Sequence, residues 1–315
     1  MKVPSVELAK QRPRNSLLNG VRKHAWHYGF VMPMLVLFAL FTVWPIIGSI
    51  YYSFFDWDGV GPPTRFVGFA NFKELAFDGY YWNAFVNNYI FALSHVIIQY
   101  PLALIVAVIL NNAALKGRNV YRLLVFLPVI TTTAIIGLIF NILLHPVGGS
   151  MNAVLTGLGF QPVNFLGSPT LALPTAIVIS IWKNIGVTIV YWLAALQTVP
   201  QELIEAAKID GATRSKILFH ITVPLLTPLA AVILLLTFVG SLHPFDLIKT
   251  LTNGGPLFAS DVVDTYVYRY AFSPDMNLPR YGLASAGGLL FGVTVMIITI
   301  LQAPFLRKAG KNLNT

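Results

Sequence analysis

Long runs of apolar residues constrain the fold of this chain more than any other feature of its sequence. No Asp, Glu, Lys or Arg occurs between Lys23 and Asp56, and a helix of about 20 apolar residues is long enough to cross the hydrocarbon core of a bilayer. Only 10 % of the 315 residues are charged, compared with about 25 % in an average soluble domain. The sequence therefore predicts a helical protein that crosses a membrane several times.

Six runs of this kind are predicted to be transmembrane helices. Their expected limits, in chain order, are residues 28–54, 88–110, 123–144, 172–197, 225–245 and 281–306. The predicted fold is an all-α polytopic membrane protein with an N-terminal tail over residues 1–27, a transmembrane domain over 28–306 and a C-terminal tail over 307–315. Residues 145–171 carry no Asp, Glu, Lys or Arg, which predicts a segment that stays near the membrane, either as a surface helix or as a re-entrant segment.

The distribution of basic residues predicts the orientation of the six spans. An even number of spans places both termini on one side of the membrane, together with the loops that follow spans two and four. That side carries 15 of the 21 Lys and Arg residues, the other side carries five, and Lys183 lies within span four. Because Lys and Arg are enriched in cytoplasmic loops, both termini are predicted to be cytoplasmic. The net charge of +9 then follows from orientation, and no nucleic-acid partner is expected.

A polar segment between spans four and five, residues 199–224, is predicted to form a pair of short cytoplasmic helices. Its acidic and basic groups lie close together, at Glu202, Glu205, Lys208 and Asp210. Good helix formers precede Gly211, which accepts the positive φ that a turn between helices requires. Thr213 is a suitable N-cap for the second helix. On shape alone, this pair would either lie on the lipid headgroups or bind a partner protein.

Three stretches in this loop carry a resemblance to a known family. They are Glu205-Ala206-Ala207, Asp210-Gly211-Ala212 and Ile221-Thr222-Val223-Pro224. This pattern resembles the signature loop of the inner-membrane subunits of binding-protein-dependent ABC importers. The run from Leu193 to Glu205 is similar to the carbohydrate-uptake branch, which contains the maltose-type permeases. Val223 stands where the family usually has Leu, which is a conservative difference.

The resemblance implies a sugar permease subunit in the inner membrane of a bacterial or archaeal cell, and it implies a set of partners. They are two cytoplasmic ATP-binding subunits that bind ATP and Mg, a second permease subunit that is a different but related chain, an extracytoplasmic solute-binding protein, the sugar and membrane lipid. The sequence contains no G-x-x-x-x-G-K-[ST] phosphate loop and no H-E-x-x-H motif, so the chain is not expected to be an enzyme. It is expected to hold no cofactor, metal or catalytic residue of its own.

The resemblance also assigns six residues of the loop to contacts with the ATPase. Two carboxylates would make polar contacts, one glycine would form the turn, and three alanines would permit close packing. In that order, these residues are Glu205, Asp210, Gly211, Ala206, Ala207 and Ala212. A solvated helix face is the alternative interpretation of Glu205.

Polar residues inside the apolar runs are candidates for the transport pathway. By analogy, the family places the sugar near the middle of spans four and five, where the candidates are Lys183, Asn184, Ser241 and His243. Each could instead form a structural contact between helices. His95 and Gln99 in span two are four residues apart and share a helix face, which favours hydrogen bonds to another helix over a pathway role.

The alternative function is an ion-coupled secondary transporter or channel. Lys183, His95 and His243 would then relay ions or protons. The sequence shows no repeated half with a matched broken helix, which many such transporters have, and the importer is therefore favoured.

Overall fold

The structure is a computed structural model that describes residues 25–112, 114–272 and 279–311. Most of the predicted N-terminal tail and the end of the predicted C-terminal tail lie outside the described residues. The chain divides after Tyr51 into two compact units.

The described part of the first unit is an apolar helix. Helix α1 covers Ala25–Phe38, a π-helical turn covers Ala39–Val43, and α2 covers Trp44–Tyr52. The stretch from Trp26 to Tyr52 is long and apolar enough to cross a membrane.

The second unit begins with a small antiparallel sheet, in which β1 (Phe55–Asp56) pairs with β2 (Arg65–Phe66). Helices form most of the rest. In chain order they are α3 (Ala70–Phe77), α4 (Gly79–Ser94), α5 (Tyr100–Asn111), α6 (Arg118–Ile130), α7 (Thr133–Leu143), α8 (Ser150–Gly157), α9 (Ala172–Leu196), α10 (Gln201–Ile209), α11 (Arg214–Ile217), α12 (Val223–Ser241), α13 (Phe245–Leu251), α14 (Val263–Phe272) and α15 (Tyr281–Lys311).

Five helical stretches of the described chain are long and apolar enough to span a membrane, and a sixth results if two bent helices count as one span. The five are Trp26–Tyr52, Gly79–Asn111, Ala172–Leu196, Arg214–Ser241 and Tyr281–Gln302. The prediction of a mostly helical, polytopic fold is confirmed, while the cytoplasmic location of the termini stays a prediction.

Span three, predicted over residues 123–144, consists of two helices joined by a sharp bend. Helices α6 and α7 meet at an angle of 93°, and Thr131 and Thr132 between them have extended backbone. Pro128 supplies no N–H to the last turn of α6, and the β-branched threonines that follow have low helix propensity. The bent pair counts as the sixth predicted span if it crosses the membrane as one unit; the sharpness of the bend was not predicted.

Span two begins earlier than predicted and contains an irregular turn. Asp78 caps α4, because its carboxylate accepts hydrogen bonds from the backbone N–H groups of Tyr80 at 2.8 Å and Tyr81 at 3.4 Å. Residues 79–87, which precede the predicted limit of span two at residue 88, therefore form the first turns of this helix. A π-helical segment, His95–Gln99, joins α4 to α5.

Span five also differs from its prediction at both ends. The second short helix of the polar loop, α11, continues through a π-helical segment, Leu218–Thr222, directly into α12. The helix ends at Ser241 and not at Phe245, because Pro244 precedes a new helix, α13. The loop is thus joined to span five without a flexible connection.

Three asparagines of α4 attach this helix to the segment that follows span five. Asn83 donates to the carbonyl of Phe258 at 2.7 Å. Asn87 donates to two further carbonyls of the same segment. Asn88 donates to the carbonyl of Leu242 at 2.7 Å and accepts from the N–H of Val263 at 2.6 Å. All of these partners are backbone groups, so the attachment fixes the path of the chain from residue 242 to 263.

A bidentate ion pair joins α3 to the start of α15. Arg280 donates to both carboxylate oxygens of Glu74, at 2.5 and 2.7 Å. This hydrogen bonding holds the pKa of Glu74 below its usual value of 4.5, although partial burial opposes the shift. A carboxyl with a lowered pKa stabilises the fold above its unfolded-state pKa, and the contribution disappears as the pH falls through the folded-state pKa.

We therefore expect acid to destabilise the wild-type chain more than a Glu74→Gln variant. The free energy difference between the two proteins should be largest near pH 7 and should shrink as the pH falls below 4.5, the ordinary pKa of this carboxyl. Thermal unfolding midpoints at pH 7 and pH 3.5 test this expectation. Glu202→Gln, at an exposed glutamate, is the matched control, and an identical pH response of both variants would contradict the expectation.

Candidate functional site

One cavity of about 270 Å³ lies between spans two, three, four and five. Residues from the π-helical segment of span two, the start of α7, and the gap after α12 line it, and the unbroken helix α9 supplies the facing wall. The polar residues of the lining are His95, Gln99, Thr133, Ser180, Asn184, Thr188, Tyr191, Thr237, Ser241 and His243. Pro244 is a further lining residue, so the cavity lies beside a π-helical segment, the start of a bent helix and the end of a third helix.

A hydrogen-bonded chain orders one wall of the cavity. Nδ1 of His95 lies 2.9 Å from the carbonyl of Phe91 and must donate, since a carbonyl oxygen only accepts. Nε2 therefore accepts from the Ser180 hydroxyl at 3.0 Å. Asn184 in turn donates to the carbonyl of Ser180 at 3.0 Å and to its hydroxyl at 3.2 Å. This chain fixes the neutral tautomer of His95 and the orientation of the Asn184 amide.

Gln99 contributes a buried acceptor with no protein partner. Its Nε2 donates to the Thr188 hydroxyl at 2.7 Å and lies 3.5 Å from the carbonyl of Asn184. Its Oε1 is buried and forms no hydrogen bond within the described residues, and the residue is only 3 % exposed. Since a buried polar atom without a partner is costly, this oxygen is suited to accept a hydrogen bond from a bound molecule.

On the side of span five, His243 lies against Asp264. Nδ1 is 3.3 and 3.4 Å from the two carboxylate oxygens of Asp264, and the imidazole ring packs edge-on against Phe291. Ser241 donates its hydroxyl hydrogen to the carbonyl of Phe238 at 2.8 Å, which leaves its oxygen lone pairs to accept from a ligand.

Three of the four pathway candidates, Asn184, Ser241 and His243, line this cavity. Lys183 does not line it, although it is only 7 % exposed. The interhelical hydrogen bonds predicted for His95 and Gln99 are confirmed by their contacts with α9, and both residues line the cavity as well. The pathway role of all these residues stays a prediction.

Sequence reasoning missed most of the α9 wall, although the sequence carried a signal for it. Ser180, Asn184 and Thr188 occur at intervals of four residues in an apolar helix, and such residues lie on one helix face. A polar stripe of this kind inside a span points toward the interior of the bundle.

The polar loop presents a short helix and a tight turn. Gly211 has φ +77° and is surrounded by open space, and the N–H of Ala212 donates to the carbonyl of Ala207 at 2.9 Å across the turn. Thr213 caps α11 by accepting from the N–H of Lys216 at 3.4 Å. The predicted break and cap are therefore present.

The six residues assigned to ATPase contacts differ in their exposure. Ala207 is buried within the chain, so its methyl group packs inward, and Ala212 is half-buried. The other four are exposed, namely Glu205, Ala206, Asp210 and Gly211. Ile209, which sequence reasoning did not select, is 87 % exposed at the end of α10. The sequence signal for this exposed residue was its position as an apolar side chain directly before the Asp210-Gly211 turn.

Comparison with known proteins identifies the family. The model of the family described as the binding-protein-dependent transport system inner membrane component matches residues 99–311, more than half of the chain. The chain belongs to this family. It is a permease, and its sequence resemblance to such inner-membrane subunits is confirmed.

Relatives of the permease are permease subunits of transporters, and several are named for sugar transport. It is 32 % identical to the probable ABC transporter permease protein YurN of Bacillus subtilis, over 90 % of the permease and 96 % of YurN. It is 33 % identical to the trehalose/maltose transport system permease protein MalF of Thermococcus litoralis, over 87 % and 91 % of the two chains. The permease is thus a multi-pass cell-membrane subunit of an ABC sugar importer.

A solved structure agrees with this assignment. The permease superposes with a TM-score of 0.80 and 26 % identity on a chain of a bacterial alginate ABC transporter in complex with an alginate pentasaccharide-bound periplasmic protein. The match covers 93 % of the permease and 97 % of that chain. The ion-coupled carrier is not favoured by any of these comparisons.

Proposed function

We propose that the permease forms half of a sugar translocation pathway and that the cavity between its interrupted helices is the sugar site. The observation that carries this proposal is the meeting of three helix interruptions at one polar cavity. Irregular backbone within a membrane is tolerated where it lines a cavity, and broken helices commonly hold transported substrates. A regular bundle would not require such breaks.

The chemistry of the cavity suits a molecule with many hydroxyl groups. Among the described residues that line it, the polar side chains are amides, hydroxyls and imidazoles, with no carboxylate, lysine or arginine. Such groups exchange hydrogen bonds with sugar hydroxyls without the cost of burying an unpaired charge. An ion-coupled carrier would be expected to place ionised side chains on its pathway.

We further propose that loop 199–224 binds a separate cytoplasmic ATPase. Charge distribution supports a cytoplasmic position for the loop and both termini. The exposed carboxylates of Glu205 and Asp210, and the exposed Ile209, give the loop a surface with polar and apolar parts. The continuous helix from Arg214 to Ser241 would transmit movement of the loop to the edge of the cavity, where Ser241 lies.

The proposed complex has two permease chains, this one and a related second chain, two ATP-binding subunits that bind ATP and Mg, and an extracytoplasmic solute-binding protein. The structure of the alginate transporter, which contains a periplasmic protein, supports the last partner. Co-purification of the tagged permease with its neighbouring gene products, followed by ATP-driven sugar uptake in proteoliposomes, tests the assembly. Uptake that stops when the proton gradient is collapsed, and not when ATP is removed, would contradict it.

Replacing Gln99 by Leu is expected to weaken sugar binding at the cavity. The variant removes the unpartnered Oε1 together with the Nε2 donor to Thr188, and the loss of one hydrogen bond to the sugar of about 1.4 kcal/mol corresponds to a tenfold increase in the KM of transport. Uptake by reconstituted transporter at varied concentrations of its sugar measures this change. Gln161→Leu, at an exposed glutamine outside the cavity, is the matched control. Equal KM values for both variants would remove Gln99 from the site.

A further inference from the structure

Residues 145–171, between spans three and four, form an outer segment that carries no charged residue and exposes several large apolar side chains. Val147 is 81 % exposed, Val154 is 59 % exposed and Leu158 is 69 % exposed. Met151, Val154 and Leu158 are spaced by three and four residues and therefore lie on one side of α8 and its C-terminal turn. Water is an unfavourable environment for this surface.

The other two segments that connect spans on the same side of the membrane are charged. Residues 53–78 contain the ion pair of Asp56 with Arg65, and residues 242–280 contain the ion pair of Asp261 with Arg269. Residues 145–171 contain no Asp, Glu, Lys or Arg at all. This contrast indicates that only the apolar outer segment is adapted to a medium that excludes charge.

Several polar groups of the outer segment are satisfied within it, including a buried asparagine. Asn152, which is 4 % exposed, donates to the carbonyls of His145 at 3.3 Å and Val163 at 3.0 Å, and accepts from the N–H of Val163 at 2.8 Å. The N–H of Phe160 donates to the carbonyl of Leu155 at 2.9 Å. Internal satisfaction of backbone groups is the condition for entering an apolar phase.

The segment is also continuous with a membrane-spanning surface. Helix α7 ends immediately before it and exposes Ile142 by 72 %. On its other side, Phe165 and Leu166 pack against the buried core of the bundle. The segment is thus held to the bundle at one end and continues the exposed apolar surface of span three at the other.

We propose that α8 lies in the outer interface of the lipid bilayer, with Met151, Val154 and Leu158 inserted among the acyl chains. The partner of this surface is lipid, and its position would be that of an interfacial amphipathic helix, about 5–10 Å into the headgroup and acyl boundary. This placement would tie the ends of spans three and four to the membrane surface while other parts of the permease move.

The absence of cysteine from the chain permits a direct test. Single Val154→Cys and Leu158→Cys variants are labelled with a nitroxide in the full transporter, reconstituted in nanodiscs of phosphatidylethanolamine and phosphatidylglycerol, with any cysteines of the partner subunits replaced. Val60→Cys is the matched control, because Val60 is 77 % exposed but lies in the charged segment 53–78. The collision rates of each nitroxide with oxygen and with a water-soluble nickel chelate are measured by power saturation.

At both test positions, we expect oxygen collisions to exceed nickel-chelate collisions at least threefold, and we expect the reverse order at Val60→Cys. A nickel-chelate rate at both test positions equal to that of the control would place the surface in water and overturn the proposal. Low rates for both reagents would show a protein partner on this surface and would overturn it equally. ATP-driven uptake by each labelled variant shows that the transporter is intact. This result tests the proposed transport function, and the collision rates test the position of α8.

Discussion

A Gly211→Asp variant is expected to lose sugar uptake while it is still inserted in the membrane in normal amounts. Gly211 has φ +77°, a conformation that costs a residue with a side chain about 1–2 kcal/mol. The new carboxylate would also stand beside Asp210 on the surface proposed to bind the ATPase, where two adjacent negative charges would be buried together. Uptake into proteoliposomes at equal amounts of reconstituted protein measures the loss, which we expect to be at least a hundredfold.

A matched control separates backbone strain from the position of the charge. Gly61 also has positive φ, +66°, and open space around it, but it lies in the segment before span two. Gly61→Asp introduces the same side chain into a similar backbone conformation, and uptake should stay near the wild-type rate. Wild-type uptake by the Gly211→Asp variant would contradict a docking role for loop 199–224.

An Asp261→Ala variant is expected to lower the stability of the permease strongly. The Asp261 carboxylate is inaccessible to solvent, and it accepts from Arg269 at 2.6 Å and from the Thr265 hydroxyl at 2.6 Å. Burial raises the pKa of this carboxyl, and the bonds to Arg269 and Thr265 oppose the shift. Its removal leaves the guanidinium of Arg269, whose side chain is 17 % exposed, without its counter-ion, and such a loss costs about 3–5 kcal/mol.

The exposed ion pair of the small sheet, Asp56 with Arg65, is the control for the effect of removing a buried ion pair. The Arg65 and Asp56 side chains are 75 % and 42 % exposed, and pairs of this kind contribute about 0–1 kcal/mol. Asp56→Ala should therefore leave the thermal unfolding midpoint in detergent nearly unchanged, while Asp261→Ala should lower it by several degrees at the same heating rate. Equal midpoints for the two variants would show that the Arg269 charge is compensated in another way.

The spans could be predicted from the sequence because each depends on a local property, the length of an apolar run. The start of span two could also have been predicted, since Asp78 is a favourable N-cap residue. The span limits were instead placed by hydropathy, which sets the start of the span at residue 88. The sharp bend in span three could not be predicted from the sequence in the same way, because proline alone does not determine where a membrane helix breaks. Proline is tolerated in membrane helices, and Pro33 lies inside a helix of this permease, whereas Pro128 precedes a break.

The cavity shows a different limit of sequence reasoning. Lys183 and Asn184 are adjacent polar residues in one apolar run, and both were selected for that reason. Adjacent residues in an α-helix point about 100° apart, so only one of them lines the cavity. Choosing between them requires the packing partners of α9, which include His95 and Gln99, bonded to residues 85 and 89 positions away in the chain.

The asparagines of α4 have a consequence for how this permease can diverge. Asn83, Asn87 and Asn88 bind main-chain groups only, and every amino acid type except proline supplies the same main-chain groups. Substitutions at positions such as Ala259 can therefore accumulate without loosening the attachment, and the side chains of that segment are free to adapt to new partners. A single-residue deletion there would instead shift each carbonyl away from its asparagine, so evolutionary change in this part of the chain should proceed by substitution at constant length.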